Sequence, residues 1–409
     1  MFSLARYCGP VMVMLAICPW GFAEPGFPEN VYLNRGFFHL AEFSKDGTLL
    51  LTASGSSKPV AQLWKLETGE LMQQFKGHEA MIHSICFSPD ELHVLTAAGN
   101  PGVVGPHDAS ARAWDVATGE EKIALKTGRN LVAYAQYSAD GEKILTVSRD
   151  FTGSRGDVAT IWNAETQQRL IDVNISVYSR TMRMNEPARL SPDGAFLLGL
   201  DSDGVQLKLW NAMTGDVLWT VGGVARKGKE DIEARGFGAL QFNRDGTQVL
   251  AACSDHTVKI WEVQTGRLRQ VLAGHEKKIS SAQFVFAMDK VVTASEDGTC
   301  RLWELGAERP QRHFLHQGPV AGLAMSKDGK RMATTWRKKR DDGANEWYMT
   351  QWDTDNGVQL KQLSVPSFRG LVMYSPDSEK AITNRKATGT IILDAKTGSN
   401  IRTLSSEKE

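Results

Sequence analysis

Short runs of apolar and β-branched residues recur along the chain and are separated by polar turns. The runs at 48–53 and 258–261 are examples, and pairs such as Thr68-Gly69 and Thr265-Gly266 lie between such runs. Runs of this kind, closed by turn residues, are typical of β-strands. No segment of useful length shows the period of an amphipathic helix. The pattern therefore predicts an all-β protein built from short strands.

An apolar residue, usually followed by a charged turn, marks the same point in eight successive units. Neighbouring marks are 41 to 53 residues apart, which is the length of a repeat that makes one four-stranded sheet. The sequence therefore predicts a repeat protein in which each unit rebuilds the same sheet. The marking residues are Phe43, Phe87, Tyr137, Leu190, Phe242, Phe284, Met325 and Tyr374.

Three further positions recur at a fixed place in each unit. A threonine stands nine residues after the mark in six units, and a histidine stands nine residues before it in three. The predicted third strand ends in tryptophan in seven units, so one structural position accounts for seven of the 11 tryptophans. The histidines are His78, His275 and His316, and the tryptophans are Trp64, Trp114, Trp162, Trp210, Trp261, Trp303 and Trp352.

These residues resemble the WD-repeat family, whose Gly-His to Trp-Asp units build β-propellers, and the resemblance covers residues 36–404. It implies an all-β propeller of four-stranded antiparallel blades, with eight blades expected and seven, with one aberrant unit, as the alternative. In the family a His, Thr, Asp and Trp tetrad joins the strands of one blade by hydrogen bonds. The resemblance therefore implies a structural role, not a catalytic one, for His78, Thr96, Asp108 and Trp114 and for His275, Thr293, Asp297 and Trp303.

Several units depart from the family pattern. Lys58 stands where the first unit would carry the aspartate, Ala251 replaces the threonine of the fifth, and the eighth has Leu393 in place of tryptophan. Those blades are expected to depend more on packing. If each blade is one contiguous unit, no strand exchange closes the ring. The alternative is that residues 31–33 join the final blade.

The first residues have the pattern of a secretory signal peptide. Arg6 is the only charge before an apolar run from Val11 to Ile17, and small residues precede Glu24. The pattern predicts cleavage after Ala23 and export to the periplasm or the medium, with an uncleaved anchor as the alternative. The expected organisation is a signal peptide at 1–23, a linker at 24–35, the propeller at 36–404 and a tail at 405–409.

Charge and cysteine content narrow the function. The chain has 47 basic and 47 acidic residues, and removal of 1–23 takes away one basic residue, so nothing indicates general binding to nucleic acid. The remaining cysteines, Cys86, Cys253 and Cys300, lie on three separate units and are predicted to be buried free thiols.

Extra residues are concentrated in the connections that open on one face of a propeller. They form the second-to-third strand loops at 99–107, 149–156 and 336–347 and the connections between blades at 173–186 and 222–235. Loops on a rigid scaffold are where binding residues concentrate. Arginine and aromatic residues are also typical of interface hot spots, although each residue alone fits an ordinary solvated loop. The candidate partner-binding residues are Arg155, Arg180, Arg183, Arg226, Lys227, Lys229, Trp336, Lys338, Lys339, Arg340 and Trp347.

Catalytic signals are sparse. The chain has no phosphate-binding glycine-rich loop, nucleophile elbow or zinc-protease helix, and neither a cofactor nor a metal site is expected. The segment from Asn211 to Trp219 is similar to the docking pattern of pyrroloquinoline-quinone dehydrogenases, which are also eight-bladed, but only that unit carries the final tryptophan. The sequence therefore predicts a non-catalytic scaffold that binds proteins of unknown identity. A quinoprotein-like dehydrogenase or another small-molecule-binding propeller is the alternative.

Overall fold

In the computed structural model, the chain folds into eight four-stranded antiparallel sheets arranged as the blades of a propeller. The described part of the chain contains strands and turns and no helix. The structure describes residues 15–17, 29–31, 38–54, 59–100, 108–149, 157–175, 178–179, 182–183, 188–202, 204–222, 237–285, 289–365, 372–377, 379–385, 389–394 and 399–404.

Each of the first four blades is a meander of four consecutive strands. Blade 1 contains Phe38–Phe43, Leu49–Ser54, Ala61–Lys65 and Glu70–Phe75. Blade 2 contains Ile82–Phe87, His93–Ala98, Ser110–Asp115 and Glu121–Lys126. Blade 3 contains Leu131–Tyr137, Lys143–Arg149, Asp157–Asn163 and Arg169–Ile175. Blade 4 contains Ala188–Leu190, Phe196–Leu200, Gln206–Asn211 and Val217–Gly222.

The second half of the chain repeats the same meander. Blade 5 contains Phe237–Phe242, Gln248–Cys253, Val258–Glu262 and Leu268–Leu272. Blade 6 contains Ile279–Val285, Lys290–Ser295, Thr299–Glu304 and Arg312–Leu315. Blade 7 contains Val320–Met325, Arg331–Lys339, Asn345–Asp353 and Gln359–Val365. Blade 8 contains Val372–Tyr374, Lys380–Arg385, Gly389–Asp394 and Asn400–Leu404.

Eight is therefore the number of blades, and every blade is one contiguous unit. The alternative in which residues 31–33 complete the last blade is wrong for Val31, because Val31 pairs with Leu15 in a separate two-stranded sheet, Leu15–Ile17 with Glu29–Val31. Side-chain contacts join blade 8 to blade 1 instead, since the Arg402 guanidinium donates to the carbonyl oxygens of Glu67, at 3.0 Å, and Thr68. The signal peptide stays a prediction. A second two-stranded sheet, Tyr178–Ser179 with Met182–Arg183, lies between blades 3 and 4.

The hydrophobic core lies between blades. Each buried cluster combines residues of two successive blades, as where Leu145 and Ile161 of blade 3 pack with Leu197 and Trp210 of blade 4. The first strands of successive blades lie beside one another, and the fourth strands carry exposed apolar side chains such as Met72 and Val217. The first strands therefore surround the centre of the ring, and the fourth strands form its outer wall. Cys86, Cys253 and Cys300 are buried free thiols, as the sequence predicts.

The recurrent Ser-X-Asp motif builds the turn from the first to the second strand. In blade 2 the Ser88 hydroxyl donates to Asp90 Oδ1 at 2.5 Å, and Asp90 Oδ1 also accepts the Leu92 backbone N–H at 3.0 Å. The fourth turn residue has a positive φ, 70° at Gly47 and 58° at Glu91, which is why glycine occupies this position in most units. The motif is a local turn device and not a binding signature.

A meander places alternate connections at opposite ends of its strands. The first-to-second and third-to-fourth turns lie on one face of the propeller, here called the turn face. The second-to-third loops and the connections between blades lie on the other, here called the loop face. All the predicted insertions belong to the loop face.

Candidate functional site

Blades 2 and 6 each contain a complete hydrogen-bonded tetrad next to the loop face. His78 of blade 2 lies 2.6 Å from Asp108 through Nδ1 and 2.7 Å from Thr96 Oγ1 through Nε2, and the Trp114 indole donates to Thr96 Oγ1 at 2.8 Å. Blade 6 repeats these contacts at 2.7, 2.7 and 2.9 Å. The structure thus brings together both sets of four residues named from the sequence.

The electrostatics of the tetrad favour a neutral histidine above an ionised aspartate. Burial lowers the pKa of His275, although its hydrogen bond with Asp297 opposes that change. Burial would raise the pKa of Asp297, but hydrogen bonds from His275 and Thr299 lower it to about 2. A neutral His275 then donates from Nδ1 to Asp297 and accepts the Thr293 hydroxyl at Nε2. All three groups are occupied in holding strands together, so the tetrad is a structural element.

An arginine, which sequence reasoning missed, also lies next to the aspartate of each complete tetrad. Arg112 Nη2 lies 2.9 Å from Asp108, and Arg301 Nη2 lies 3.9 Å from Asp297. Both arginines stand two residues before the tetrad tryptophan. This shared position relative to the tryptophan is the sequence signal that could have identified them.

The remaining blades keep part of the tetrad. The indole of the repeat tryptophan donates to the repeat threonine in blades 1, 3 and 7, at 2.9, 2.8 and 3.0 Å. Gly199 and Ala251 stand at the threonine position of blades 4 and 5 and have no side-chain oxygen to accept that bond. In those blades the tryptophans Trp210 and Trp261 pack in the clusters between blades.

The most distinct feature of the loop face in the described residues is the hairpin of blade 7. Its two strands, Arg331–Lys339 and Asn345–Asp353, have nine residues each, whereas no other described strand exceeds seven. The pairing continues without interruption to Lys339 opposite Asn345, and the Arg340 N–H donates to the Ala344 carbonyl at 2.8 Å. The insertion predicted as a loop at 336–347 is therefore a rigid hairpin that extends the sheet.

The end of this hairpin carries a mixed but cation-rich surface. Lys338, Lys339 and Arg340 are exposed, and Arg340 Nε lies 3.7 Å from Asp342 Oδ2. The Arg337 guanidinium lies 5.9 Å from the centre of the half-buried Trp347 ring, a separation typical of a cation–π contact. Four cations therefore share the hairpin with an aromatic ring on its surface.

Trp336 is not an accessible anchor, and its assignment as a partner-binding residue is wrong for this structure. Its side chain is only 2% exposed, and its indole donates to Thr350 Oγ1 at 2.9 Å. Its ring also stacks on Tyr348 at 4.5 Å with an angle of 17° between the planes. Because the extended strands turn position 336 into the blade, Trp336 stabilises the base of the hairpin.

The other candidates divide by location. The structure describes Arg183 only as part of a short strand, and the remaining five lie outside the described residues. The blade 7 hairpin alone therefore brings several candidates together in the described part of the chain. The five are Arg155, Arg180, Arg226, Lys227 and Lys229.

No group of three or more histidine, cysteine, aspartate or glutamate residues in the described ranges is arranged to hold a metal ion. Across the same ranges, no helix has the length and apolar character needed to cross a membrane.

Comparison with known proteins identifies the repeat. The family model described as "WD domain, G-beta repeat" matches residues 69–115, 235–262 and 266–304. These segments include most of blade 2 and blade 6, which carry the complete tetrads. Two of the three segments therefore fall where the sequence shows the full motif, and the third covers blade 5, where Ala251 replaces the threonine.

Curated relatives are similar at low identity. The chain is 23% identical to transducin beta-like protein 3 of Bos taurus over 346 residues, which is 82% of this chain and 40% of the relative. It is 24% identical to eukaryotic translation initiation factor 3 subunit I of Homo sapiens over 318 residues, 71% of this chain and 87% of the relative. The chain thus spans about two fifths of the length of the first of these relatives.

Solved structures show the same fold. The C-terminal WD40 domain of Sif2 superimposes with a TM-score of 0.64 at 17% identity, over 84% of this chain and 92% of that domain. The computationally designed Ika8 protein superimposes with a TM-score of 0.59 at 19% identity, over 88% of this chain and 93% of that protein.

Proposed function

Because this chain is a WD-repeat β-propeller, we propose that it is a non-catalytic scaffold that binds partner proteins through its loop face. The observation that carries the proposal is the blade 7 hairpin, which extends the sheet beyond the length of every other described blade. A rigid element that presents charged and aromatic side chains meets the physical requirement for a protein-binding site.

The base of the hairpin supports its role as a preorganised surface. Trp336, Tyr348 and Thr350 fix the two strands by stacking and by a hydrogen bond, so Lys338, Lys339 and Arg340 are held on ordered backbone. Little conformational entropy is then lost when a partner binds. We infer that the partner carries an acidic surface, since cations outnumber the acids on the hairpin.

The relatives support the class of function. Eukaryotic translation initiation factor 3 subunit I is by name a component of a larger assembly. We propose the same kind of role for this chain, as one component of a protein complex.

The single docking-like segment does not favour the quinoprotein alternative. Trp219, the final residue of that pattern, donates its indole N–H to the Val263 carbonyl at 2.6 Å and packs against Gly266 of the next blade. Trp219 thus has a structural role at the junction of blades 4 and 5, and a cofactor is not needed to explain it.

The test compares the wild-type chain with a triple reversal on the hairpin, Lys338→Glu, Lys339→Glu and Arg340→Glu. Proteins captured by the wild-type chain from its own cells are identified, purified and titrated by calorimetry. We expect the hairpin variant to weaken binding at least about tenfold, since interface charges affect association strongly.

A matched control reverses three exposed cations away from the hairpin, Lys122→Glu, Arg267→Glu and Lys330→Glu. This variant has the same change in net charge, and we expect it to bind the partner normally. Equal affinity of the wild type and the hairpin variant for every captured protein would refute the assignment of the hairpin as the binding site.

We propose further that the protein acts outside the cytoplasm after loss of residues 1–23. The support is the pattern of a secretory signal peptide, in which Arg6 comes first, the apolar run follows, and small residues precede Glu24. N-terminal sequencing of the protein recovered from its own cells should begin at Glu24. Recovery only of protein that retains residues 1–23 would contradict cleavage.

A further inference from the structure

A cavity of about 470 Å³ opens on the turn face between blades 2 and 3, opposite the hairpin. Its walls come from the first-to-second strand turns of both blades and the third-to-fourth turn of blade 3. A volume of several hundred cubic ångströms is typical of sites that hold a small ligand or a large side chain.

At this junction the turn of blade 3 packs less closely on the preceding blade than two equivalent turns do. A methyl group built on Gly246 would lie 3.0 Å from Pro192 of the preceding blade, and one on Gly47 would lie 3.2 Å from Pro376. On Gly141, the equivalent residue of blade 3, the nearest atom is Pro89 Cδ at 3.7 Å. The turn of blade 3 therefore makes an ordinary contact with blade 2, whereas the other two turns are packed more tightly.

Three carboxylates line this space. Asp90 and Asp140 each use Oδ1 for the hydrogen bonds of their own turn, at 2.5 to 3.0 Å. Glu165 is exposed, and its carboxylate forms no ion pair in the described part of the chain. His93 also lines the cavity, whereas no lysine or arginine does so among the described residues. Lys45 of blade 1 donates to the Pro89 carbonyl without lining the cavity.

A tyrosine that is largely buried lines the same space. Tyr137 is 5% exposed and lines the cavity, and its hydroxyl has no hydrogen-bond partner among the described residues. Phe87, Phe242 and Phe284 occupy the same repeat position, so packing alone does not require the oxygen. Burial raises the pKa of Tyr137, which keeps the hydroxyl neutral and able to donate or to accept. The hydroxyl is thus available to a ligand that enters the cavity.

The remaining wall is apolar and includes Pro89, Ile123 and Ala164. The cavity therefore combines a surface for an aliphatic chain with several acceptors for a cation. A guanidinium group carries five N–H donors in one plane and suits several carboxylates at once, whereas an ammonium group is a compact point charge. We propose that this cavity binds the side chain of an arginine presented by a partner protein.

The direct test uses three short probes, acetyl-Gly-Arg-Gly-amide and its citrulline and lysine counterparts, titrated into the full chain and followed by NMR. Citrulline keeps the shape of arginine and removes its charge. We expect the arginine peptide to bind at least about tenfold more tightly than either counterpart. Failure of the arginine peptide to bind at millimolar concentration, or equal binding of the citrulline or lysine peptide, would overturn the proposal.

Two substitutions locate the site, and each has a matched control. Glu165→Gln and Tyr137→Phe should each weaken the arginine peptide severalfold. Glu67→Gln, in the third-to-fourth turn of blade 1, and Tyr374→Phe, at the same repeat position in blade 8, should leave it unchanged. Glu165 is exposed, so Glu165→Gln tests the site without risk to folding. Unaltered binding by both site variants would place any arginine site elsewhere.

The triple reversal on the hairpin separates this proposal from the function proposed for the loop face. It should weaken binding of the loop-face partner at least about tenfold and leave the arginine peptide bound at wild-type affinity. Loss of peptide binding in that variant would contradict the turn-face site.

Discussion

Blades 6 and 7 are neighbours built from the same repeat, yet the Nδ1 atom of the repeat histidine has different surroundings in each. In blade 6 a tight turn at 296–298 brings Asp297 to 2.7 Å from His275 Nδ1. In blade 7 the residue at the same distance before the tryptophan is Glu346, and the extended hairpin carries it away from His316. His316 keeps its contact with Thr334 at 2.7 Å, but its buried Nδ1 has no hydrogen-bond partner in the described residues.

Aromatic packing replaces the missing aspartate in blade 7. The Trp336 ring lies 6.0 Å from His316 at 62°, and its indole donates to Thr350, which stands where blade 6 carries Arg301. In blade 7, Thr350 thus stands at the position of Arg301 and Glu346 at that of Asp297, while Trp336 contacts the histidine from the second strand. The comparison teaches that a blade can lengthen its second-to-third hairpin if aromatic contacts replace the polar contacts at its base.

The largest expected effect is the loss of a buried indole in either blade. Trp303→Ala and Trp336→Ala should each lower the free energy of unfolding by about 3 to 5 kcal/mol, since each removes a large packed side chain. Trp347→Ala, which changes a half-buried ring on the same hairpin, should cost much less. Denaturant unfolding followed by circular dichroism measures all three. A small effect for Trp336→Ala would show that blade 7 does not depend on aromatic packing.

The next effect is a dependence of stability on pH to which the repeat histidines of both blades contribute, since the pKa of His275 is also lowered. Burial lowers the pKa of His316 to about 4 from a reference value of 6.5. Between these values the unfolded chain binds more protons than the folded chain, so stability falls as the pH falls from 6.5 to 4. This contribution approaches ~3 kcal/mol. The corresponding loss for Asp297, whose pKa is about 2, begins only below its reference value of 3.8.

His316→Gln tests the contribution of His316 to the pH dependence of stability, because glutamine does not titrate. Free energies of unfolding measured at pH 7 and pH 4 should differ less in His316→Gln than in the wild type. An identical pH dependence for both proteins would rule out His316 as the source.

A smaller effect should follow from removal of the acid in each blade. Asp297→Ala removes the acceptor 2.7 Å from His275 Nδ1 and leaves only the Thr299 hydroxyl, 3.2 Å away, which costs about 1 to 3 kcal/mol. Glu346→Ala, at the equivalent register of blade 7, should leave stability unchanged within error, because His316 has no contact with it to lose. Equal destabilisation by the two substitutions would mean that Glu346 also supports its blade.

The smallest expected effect on stability belongs to the hairpin surface. Lys338→Glu, Lys339→Glu and Arg340→Glu together should leave the melting temperature unchanged within error, because exposed charges contribute little to folding. The same variant is expected to lose partner binding. A large fall in melting temperature would show that the hairpin end is part of the fold and not a free surface.

The amino-acid sequence alone determined the repeat, the four-stranded blades and the composition of both tetrads. Residues at fixed offsets, such as His275, Thr293 and Trp303, reveal these features because the repeats place the same hydrogen-bonding groups at the same positions. The position of Arg301 was readable by the same rule.

Only the tertiary structure determined the roles of the residues that depart from the repeat pattern. From sequence, residues 336–347 fitted a loop, and Trp336 fitted a surface anchor, because their meaning depends on how far the strands remain paired and which side of the sheet a residue faces. The closure through Arg402 and the cavity beside Tyr137 depend on spacing between blades. That spacing is set by packing of residues far apart in the chain, which a repeat pattern does not encode.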